Sequence, residues 1–291
     1  MKQYGIIGYP LGHSLSPLVH NRAFADLGVD ASYEAWPTPP GELEAFMAAA
    51  RARPIAGLSV TIPHKTGVAA YLDGVSAGAA RAGAVNTVYW RAGRLLGENT
   101  DVSGFVAPLA ALPRLPSSAL VLGAGGAARA VLAGLAGLGV KRVTLTNRNP
   151  DKAEALAREF AVEAAPWDAR GEIRADLIVN ATPLGMAGPD VLETPYPAQR
   201  FTPGAIAYDL IYNPGQTRFL REAAAAGCAV IGGLDMFVEQ AAGQFKLWTG
   251  LELPRRTTRE ILEEALTKGC APGPRPPGAK GLCPLDPHRG R

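Results

Sequence analysis

Residues 119–129 have the sequence ALVLGAGGAAR, in which four apolar residues lead directly into a run of small residues. The apolar run predicts a short buried strand, the glycines predict a tight turn, and residues 127–138 predict a helix. A second strand is predicted over residues 142–146. Two strands joined by a helix form a right-handed parallel crossover, which is the repeating unit of a doubly wound sheet.

The same alternation continues toward the C-terminus. A helix is predicted over residues 150–160, and strands are predicted over residues 177–180 and 205–210. Repeated strand and helix segments of this length favour an α/β fold with a Rossmann-like, doubly wound parallel sheet.

The N-terminal part of the chain is also mixed α/β. The predicted elements are strands at 4–8 and 56–62, helices at 18–27, 42–51 and 101–112, and a hairpin at 84–90 and 94–97. Two later helices, at 237–248 and 257–266, could cover either unit by periodicity alone. Residues 269–291 are rich in proline, glycine and basic residues, which predicts a flexible tail.

The composition limits the classes of protein to consider. The chain has 291 residues, 47% of them hydrophobic and 19% charged, which suits two domains and excludes a disordered chain. No apolar run reaches the ~20 residues of a membrane span, and the N-terminus lacks the apolar core of a signal peptide. We therefore predict a cytoplasmic protein without a membrane partner.

Charge and cysteine content exclude further classes. The 29 Lys and Arg residues and the 26 Asp and Glu residues are scattered, with a net charge of +3, so nucleic acid is not an expected partner. The three cysteines, Cys228, Cys270 and Cys283, have no spacing typical of a disulfide framework or a zinc site. We expect no metal.

The glycine turn predicts a phosphate site, because glycines let a pyrophosphate approach the N–H groups at a helix start. Its glycines are Gly123, Gly125 and Gly126. The next strand ends in Asn147-Arg148, followed by Lys152, where NAD-binding units commonly place an Asp or Glu. A carboxylate would repel a 2′-phosphate, whereas arginine can bind it, so the pattern favours NADP over NAD. The alternative is that Arg148 and Lys152 form a solvated face at a helix start.

Polar side chains follow or precede several elements of the first unit. They are Ser14 and Ser16, Thr61 and Lys65, Asn86-Thr87, and Asn99-Thr100-Asp101. Taken singly, the serines could be helix caps and the others ordinary turns. Ligands gather at strand ends in open α/β sheets, however, and together these groups suit a hydroxylated acid.

The combined motifs resemble a known family. They are Ser14-x-Ser16-Pro17, Asn86-Thr87, Asn99-Thr100-Asp101, the turn at 123–129, Asn180-Ala181-Thr182, and Gly233-Leu234-Asp235-Met236 through Gln240. In this order and spacing they are similar to shikimate dehydrogenases, over residues 1 to about 268 but not the tail. The resemblance implies reversible, NADPH-dependent reduction of 3-dehydroshikimate to shikimate, a step of aromatic amino-acid biosynthesis.

The resemblance also implies an arrangement of domains. Residues 1–101 and 238–268 would form an α/β substrate domain, and residues 102–237 would form the Rossmann-like NADP-binding domain, with a cleft between them. The last helices would thus return to the first unit. A homodimer is compatible with these features, but the residues do not fix the oligomeric state.

The resemblance further implies roles for individual residues. The catalytic pair would be Lys65 and Asp101. The substrate would be held by Ser14, Ser16, Thr61, Asn86, Tyr212 and Gln240. The cofactor would be contacted by Gly123, Gly125, Gly126, Ala127, Asn147, Arg148, Lys152, Thr182, Gly233 and Met236.

The expected chemistry agrees with these residue types. Hydride transfer to a ketone builds negative charge on oxygen, which the Lys65 ammonium could stabilise and protonate. Asp101 would orient the ammonium, and the residues leave open which of the two is the proton donor. Asn149 departs from the family pattern, which commonly has Thr or Ser there.

Two other functions remain open at this point. One is a quinate/shikimate dehydrogenase of broader specificity. The other is a non-catalytic NADP-binding regulatory protein, although the presence of both Lys65 and Asp101 argues against it.

Overall fold

The computed structural model describes residues 1–12, 14–52 and 55–268. The predicted tail, residues 269–291, lies outside the described residues and includes Cys270 and Cys283. The strands are β1 Lys2–Gly8, β2 Ala31–Pro37, β3 Ile55–Val60, β4 Gly74–Val75, β5 Thr87–Arg91, β6 Arg94–Glu98, β7 Ser118–Leu122, β8 Arg142–Asn147, β9 Glu163–Pro166, β10 Leu177–Asn180, β11 Ile206–Asp209 and β12 Ala229–Ile231. The helices are α1 Ser16–Asp26, α2 Leu43–Ala52, α3 Ala77–Ala82, α4 Thr100–Ala110, α5 Gly126–Gly137, α6 Pro150–Phe160, α7 Arg218–Ala225, α8 Gly233–Thr249 and α9 Arg255–Thr267.

The first sheet has the strand order β2-β1-β3-β5-β6-β4. Strands β1, β2 and β3 are parallel, whereas β5 is antiparallel to both β3 and β6. β1 lies between two partners, and its residues from Tyr4 onward are buried, which explains its apolar run. The predicted hairpin is confirmed by the pairing of β5 with β6.

The second sheet has the order β12-β11-β10-β7-β8-β9, with every pair parallel. Its two central strands, β7 and β10, are buried along their whole length, as expected for a sheet covered on both faces. The prediction of a Rossmann-like doubly wound sheet is therefore confirmed. The strand order reverses between β7 and β10, and ligands of such sheets bind beside the carboxyl ends at that point.

Helices α4 and α8 connect the two sheets. α4 takes the chain from the first sheet to the second, and α8 takes it back, so that Phe245 of α8 and Leu262 of α9 share a core with Tyr4 and Phe24. α4 and α8 cross closely, since a Cβ atom on Gly104 would lie 2.8 Å from the Met236 carbonyl oxygen. The first turns of both helices consequently reach the boundary between the sheets.

Several elements are present that the sequence pattern did not predict. They are β2, β4, α3, β9, α7 and β12. β2 is an edge strand in which only Tyr33 is buried, so it lacks the apolar alternation of a half-buried strand. α8 also begins at Gly233, four residues before the predicted start. In the part of the chain that the structure describes, no helix combines the length and apolar character needed to cross a bilayer.

Candidate active site

A cleft of about 470 Å³ lies between the two sheets. One side consists of side chains from the ends of β1 and β3 and from the start of α1, and the opposite side consists of the start of α5 and the loop after β11. The first turns of α4 and α8 also line it, through Asp101 and Gly233. The carboxyl ends of parallel strands from both sheets thus meet at one place, where polar side chains can converge on a ligand.

Lys65 and Asp101 form an ion pair in this cleft. Lys65 Nζ lies 2.6 Å from Asp101 Oδ2, and the side chains are only 17% and 11% exposed. A largely buried ion pair is screened less by salt than an exposed one, so its attraction is stronger. This charge-assisted hydrogen bond keeps the Lys65 ammonium next to the Asp101 carboxylate. An ammonium held in this way can stabilise an oxygen that gains negative charge.

A turn after β3 carries Lys65 into the cleft. His64 N donates to Thr61 O at 2.9 Å, and Val85 N donates to Lys65 O at 2.7 Å. The His64 ring is buried, with Nε2 2.7 Å from Thr38 O. These contacts fix the backbone on both sides of Lys65.

The first turn of α4 carries Asp101. Asn99 is the N-cap, and its Oδ1 accepts a hydrogen bond from Asp101 N at 3.1 Å. Asn86 Oδ1 accepts from Thr100 N at 2.7 Å. The two asparagines thereby satisfy N–H groups that have no partner within the helix. A carboxylate in the first turn is also favoured by the helix dipole.

Hydroxyl and amide groups surround the ion pair. Leu15 occupies the N-cap position of α1, and Ser14 Oγ accepts a 3.4 Å hydrogen bond from Ser16 N. The Tyr212 ring packs against Phe237 with the ring centroids 4.8 Å apart, and burial raises the pKa of Tyr212 to about 12. Its hydroxyl, like that of an ordinary tyrosine, is protonated at neutral pH, and Tyr212 lines the cleft as a possible hydrogen-bond donor.

The glycine turn has the geometry of a phosphate cradle. Gly123 has φ of +108°, and a Cβ atom there would lie 2.8 Å from Ala181 O, so a side chain does not fit. Gly125 is the N-cap of α5 and provides no side chain to bind the first N–H groups of that helix. Those groups are directed where an anion could accept from them. A Cβ atom on Gly126 would lie 3.8 Å from Lys65 Cδ, so the turn is adjacent to the ion pair.

The end of β8 supplies the residues that suit a 2′-phosphate. Arg148 and Lys152 are both exposed, and Asn149 caps α6 by accepting from Lys152 N at 3.1 Å. Asn147 Oδ1 accepts from Ala124 N at 3.3 Å, which connects this segment to the glycine turn. The exposed arginine next to a helix start, with no carboxylate at the end of the strand, fits NADP better than NAD.

A buried carboxylate organises the loops on the second sheet. Asp209 Oδ1 accepts from Asn180 Nδ2 and from Ile211 N, each at 3.0 Å, and Oδ2 accepts from Thr217 Oγ1 at 2.6 Å. Burial raises the pKa of Asp209 to about 6, although these hydrogen bonds act in the opposite direction. Asn180 Oδ1 in turn accepts from Thr182 Oγ1 at 2.7 Å. Asp209 therefore fixes both the segment with Thr182 and the segment leading to Tyr212.

Comparison with family models gives three matches along the chain. Residues 6–88 match the shikimate dehydrogenase substrate binding domain, residues 112–183 match shikimate / quinate 5-dehydrogenase, and residues 233–263 match the shikimate 5′-dehydrogenase C-terminal domain. The three models follow one another in the order of the chain.

Whole-chain comparison gives relatives over nearly the same length. The NADP(+) shikimate dehydrogenase of Oleidesulfovibrio alaskensis is 53% identical over 269 residues, which cover 92% of this chain and 96% of the relative. The chain belongs to the shikimate dehydrogenase family. The crystal structure of shikimate 5-dehydrogenase from Thermus thermophilus, in complex with NADP(H) and shikimate, is 44% identical to this family member. That match has a TM-score of 0.83 and covers 91% of this chain and 100% of the other.

The same fold is also found in a dehydrogenase that is named for a different substrate. Quinate dehydrogenase from Corynebacterium glutamicum, in complex with NAD, is 32% identical to this shikimate dehydrogenase family member, with a TM-score of 0.84. The match covers 90% of this chain and 99% of the other. The overall fold alone therefore does not separate the two activities.

The structure brings together many of the residues that the sequence singled out. Those that line the cleft are Ser14, Ser16, Thr61, Lys65, Asp101, Ala127, Tyr212, Gly233, Met236 and Gln240. Asn86 is not among the lining residues: it is 2% exposed and lies behind Asp101. The remaining predicted cofactor residues lie outside the cleft, at the glycine turn and the adjacent strand ends. They are Gly123, Gly125, Gly126, Asn147, Arg148, Lys152 and Thr182.

Other lining residues were not predicted from the sequence. They include Tyr9, Ser59, Met186 and Gln244. Gln244 could have been found, because it lies one helical turn after Gln240 and therefore on the same face of α8. The sequence around Tyr9 and Met186 has no spacing or motif that indicates a place in the site. Within residues 1–12, 14–52 and 55–268, no three His, Cys, Asp or Glu side chains form a group suited to a metal ion.

Proposed function

We propose that this protein catalyses the reversible, NADPH-dependent reduction of 3-dehydroshikimate to shikimate. The observation that carries the proposal is the Lys65–Asp101 pair, 2.6 Å apart and largely buried, next to the glycine turn of a doubly wound sheet. The Thermus thermophilus relative, which binds NADP(H) and shikimate, supports the same substrate and cofactor for this chain.

The cofactor would be held by the second sheet. Backbone N–H groups at Gly125 and Gly126 would bind its pyrophosphate, and Arg148 with Lys152 would bind its 2′-phosphate. Ala127, Asn147, Thr182, Gly233 and Met236 are the other residues proposed to contact it. When bound, NADPH supplies the hydride that reduces the ketone.

Lys65 is the proposed proton donor. Its Nζ carries three protons, and one of them is directed at Asp101 Oδ2. The others are available to the substrate oxygen, which becomes negatively charged as the ketone is reduced. Asp101 holds the ammonium and accepts a hydrogen bond from a substrate hydroxyl. In the oxidation direction, Lys65 would accept the hydroxyl proton as a neutral amine.

The rest of the substrate would be bound by neutral polar groups. Ser14, Ser16 and the protonated Tyr212 hydroxyl can donate to a carboxylate, and Thr61 and Gln240 can bind ring hydroxyls. Asn86, which lies behind Asp101, would contribute to substrate binding through its side-chain amide. This set lacks a second cation for the carboxylate, so substrate affinity should depend on many hydrogen bonds rather than on one ion pair.

The domain roles follow from the same proposal. Residues 1–101 with 238–268 would bind the substrate, and residues 102–237 would bind NADP. The homodimer and the cytoplasmic location stay predictions. Light scattering after size-exclusion chromatography would check the homodimer.

The test is the initial velocity of oxidation with shikimate or quinate as substrate and with NADP or NAD as cofactor. We expect efficient turnover only with shikimate and NADP. Comparable kcat/KM with quinate and NAD would instead support a quinate/shikimate dehydrogenase, the alternative that the Corynebacterium glutamicum relative keeps open. Binding of NADP without turnover of either substrate would support a regulatory protein.

A further inference from the structure

We propose that Thr87 and Gln244 are positioning residues, which fix the Asn86 side chain and, through it, the helix turn that carries Asp101. The inference rests on the proposed function, because it concerns the same ion pair. Neither residue belongs to the predicted site, and Thr87 does not line the cleft. Both are buried, with exposures of 0% for Thr87 and 2% for Gln244.

Gln244 has only one orientation that satisfies its neighbours. Its Nε2 lies 3.3 Å from the Asn86 backbone carbonyl, which can only accept a hydrogen bond, so the amide nitrogen must face that side. Its Oε1 accepts from Ser59 Oγ at 2.9 Å and lies 3.3 Å from His20 Nε2. The Gln244 amide therefore uses its hydrogen-bonding groups on both sides.

The orientation of Gln244 leaves the proton of the Thr87 hydroxyl free to donate. Gln244 Nε2 donates to Thr87 Oγ1 at 3.2 Å. Thr87 Oγ1 then donates its own proton to Asn86 Oδ1 at 2.7 Å. Because Asn86 receives this hydrogen bond on its oxygen, the side-chain oxygen is held toward Thr87 and the nitrogen is held away.

The orientation of Asn86 in turn positions the start of α4. Asn86 Oδ1 accepts from Thr100 N at 2.7 Å, and Asn86 Nδ2 donates to Thr100 Oγ1 at 3.0 Å. Thr100 is the first residue of α4 and directly precedes Asp101. A rotated Asn86 amide would place a nitrogen against Thr100 N, two donors facing each other, and would displace the turn that carries the carboxylate.

The same network continues from Gln244 to β3 and β2 of the first sheet. The Tyr33 hydroxyl donates to Ser59 Oγ at 2.6 Å, and Ser59 then donates to Gln244. A continuous set of buried hydrogen bonds thus joins Tyr33 of β2 to Thr100 at the start of α4. Such networks orient side chains most firmly when every member is satisfied.

Thr87→Val tests the inference without touching the substrate. Valine keeps the shape of threonine but removes the hydroxyl that orients Asn86. We expect kcat for shikimate oxidation to fall about three- to tenfold, the range that one hydrogen bond represents. The KM for NADP should stay within about twofold, since the glycine turn is not altered. Thr87→Ser, which restores the hydroxyl, should recover most of the lost kcat.

A matched control separates positioning from loss of a buried threonine. Thr146 of β8 is also 0% exposed, but its Oγ1 is buried without a hydrogen-bond partner. Thr146→Val therefore makes the same chemical change without breaking a hydrogen bond, and kcat should not fall. Melting temperatures of all variants would be measured to confirm that the assay temperature lies below each transition.

The outcomes distinguish this inference from the proposed function. If the unaltered protein oxidises shikimate and Thr87→Val retains its full kcat, or Thr87→Ser loses as much kcat as Thr87→Val, the positioning role is wrong and the proposed function stands. If the unaltered protein does not oxidise shikimate, the proposed function itself fails. The inference is supported if kcat falls in Thr87→Val, recovers in Thr87→Ser and does not fall in Thr146→Val.

Discussion

Lys65 is anchored by a single carboxylate, and its remaining N–H bonds stay available to a ligand. This arrangement differs from a structural ion pair, in which the surroundings use the rest of the donors. Because the ammonium acts on charge that develops only as the ketone is reduced, its loss should affect the rate more than substrate binding.

We predict that Lys65→Ala lowers kcat about 10²- to 10⁴-fold while KM for shikimate rises less than tenfold. Steady-state rates with saturating NADP would check this. Lys246→Ala is a suitable control, because Lys246 lies on the exposed side of α8 in an ion pair with Glu252. Unchanged kcat in Lys65→Ala would exclude the proposed proton donor.

Arg148 should discriminate between the two nicotinamide cofactors. Arg148→Leu removes a charged donor for the 2′-phosphate, so we expect KM for NADP to rise about tenfold or more and KM for NAD to change little. Arg158 lies in the last turn of α6, the helix that begins two residues after Arg148. Arg158→Leu should therefore leave the KM values for NADP and for NAD unchanged. Equal effects of Arg148→Leu on the two cofactors would contradict a role in binding the phosphate.

Polar residues that follow strands or begin helices can be identified from the sequence as candidate site residues. Lys65 and Asp101 could be proposed because a polar residue just after an apolar strand has a clear position in an α/β fold. Thr87 and Gln244 could not, because their importance depends on which side chains meet in the core. A buried threonine in a strand and a glutamine on a helix have no distinctive spacing.

Helix α6 shows how one element accommodates a departure from the family pattern. Asn149 stands where Thr or Ser was expected, and the structure uses it as the N-cap, accepting from Lys152 N. Asn, Ser and Thr are all good N-caps, so the helix start is preserved by any of the three.

We therefore predict that Asn149→Ser changes the free energy of unfolding by less than about 0.5 kcal/mol, whereas Asn149→Ala lowers it by about 1 kcal/mol. Urea denaturation would measure both. If the serine hydroxyl also binds the 2′-phosphate, KM for NADP should fall in Asn149→Ser and not in Asn149→Ala. No loss of stability in Asn149→Ala would show that the cap is not used, and an equal loss in both variants would show that serine does not replace asparagine as the cap.

Among the strands, those with a strong apolar signal are predicted, whereas helix α7 is missed although Phe219, Leu220 and Ala223 form its buried face. The central strands β7 and β10 are buried on both faces, and their continuous apolar runs predict strands directly. The edge strand β2 depends on pairing with β1 for its structure, and edge pairing leaves little trace in side-chain composition. The short helix α3 is composed mostly of alanine and glycine, so it likewise shows no clear apolar face.

A buried histidine couples the stability of the molecule to pH. His20 is fully buried against Tyr33 and Trp248, and burial lowers its pKa to about 3 from the ordinary 6.5. The folded protein therefore keeps His20 neutral, while the unfolded chain binds a proton below pH 6.5. The stability associated with this group is complete above pH 6.5 and is lost as the pH falls toward 3.

We predict that His20→Gln reduces the acid sensitivity of folding. Between about pH 6.5 and 4.5, the unaltered protein should lose unfolding free energy faster than the variant by about 1.4 kcal/mol per pH unit. Urea denaturation at several pH values would give the two slopes. Replacing the His20 ring also lowers the free energy of unfolding by a pH-independent amount, because the ring packs against aromatic neighbours. Comparing the slopes removes this constant difference. Parallel slopes would show that His20 is not held neutral in the folded state.

The return of α8 and α9 to the first sheet has a consequence for how the protein is made. About 170 residues separate the end of β3 from the start of α8. At ~5–20 residues per second, a ribosome needs roughly 10–35 s to synthesise them. During that time Tyr4, Phe24 and Tyr33 lack the helix that covers them, whereas the second sheet has all of its strands before α8 emerges. The core of the N-terminal sheet is thus begun first but completed last, because the helices that cover the sheet are made at the end. The newborn chain carries an apolar surface that chaperones can bind until these helices leave the ribosome.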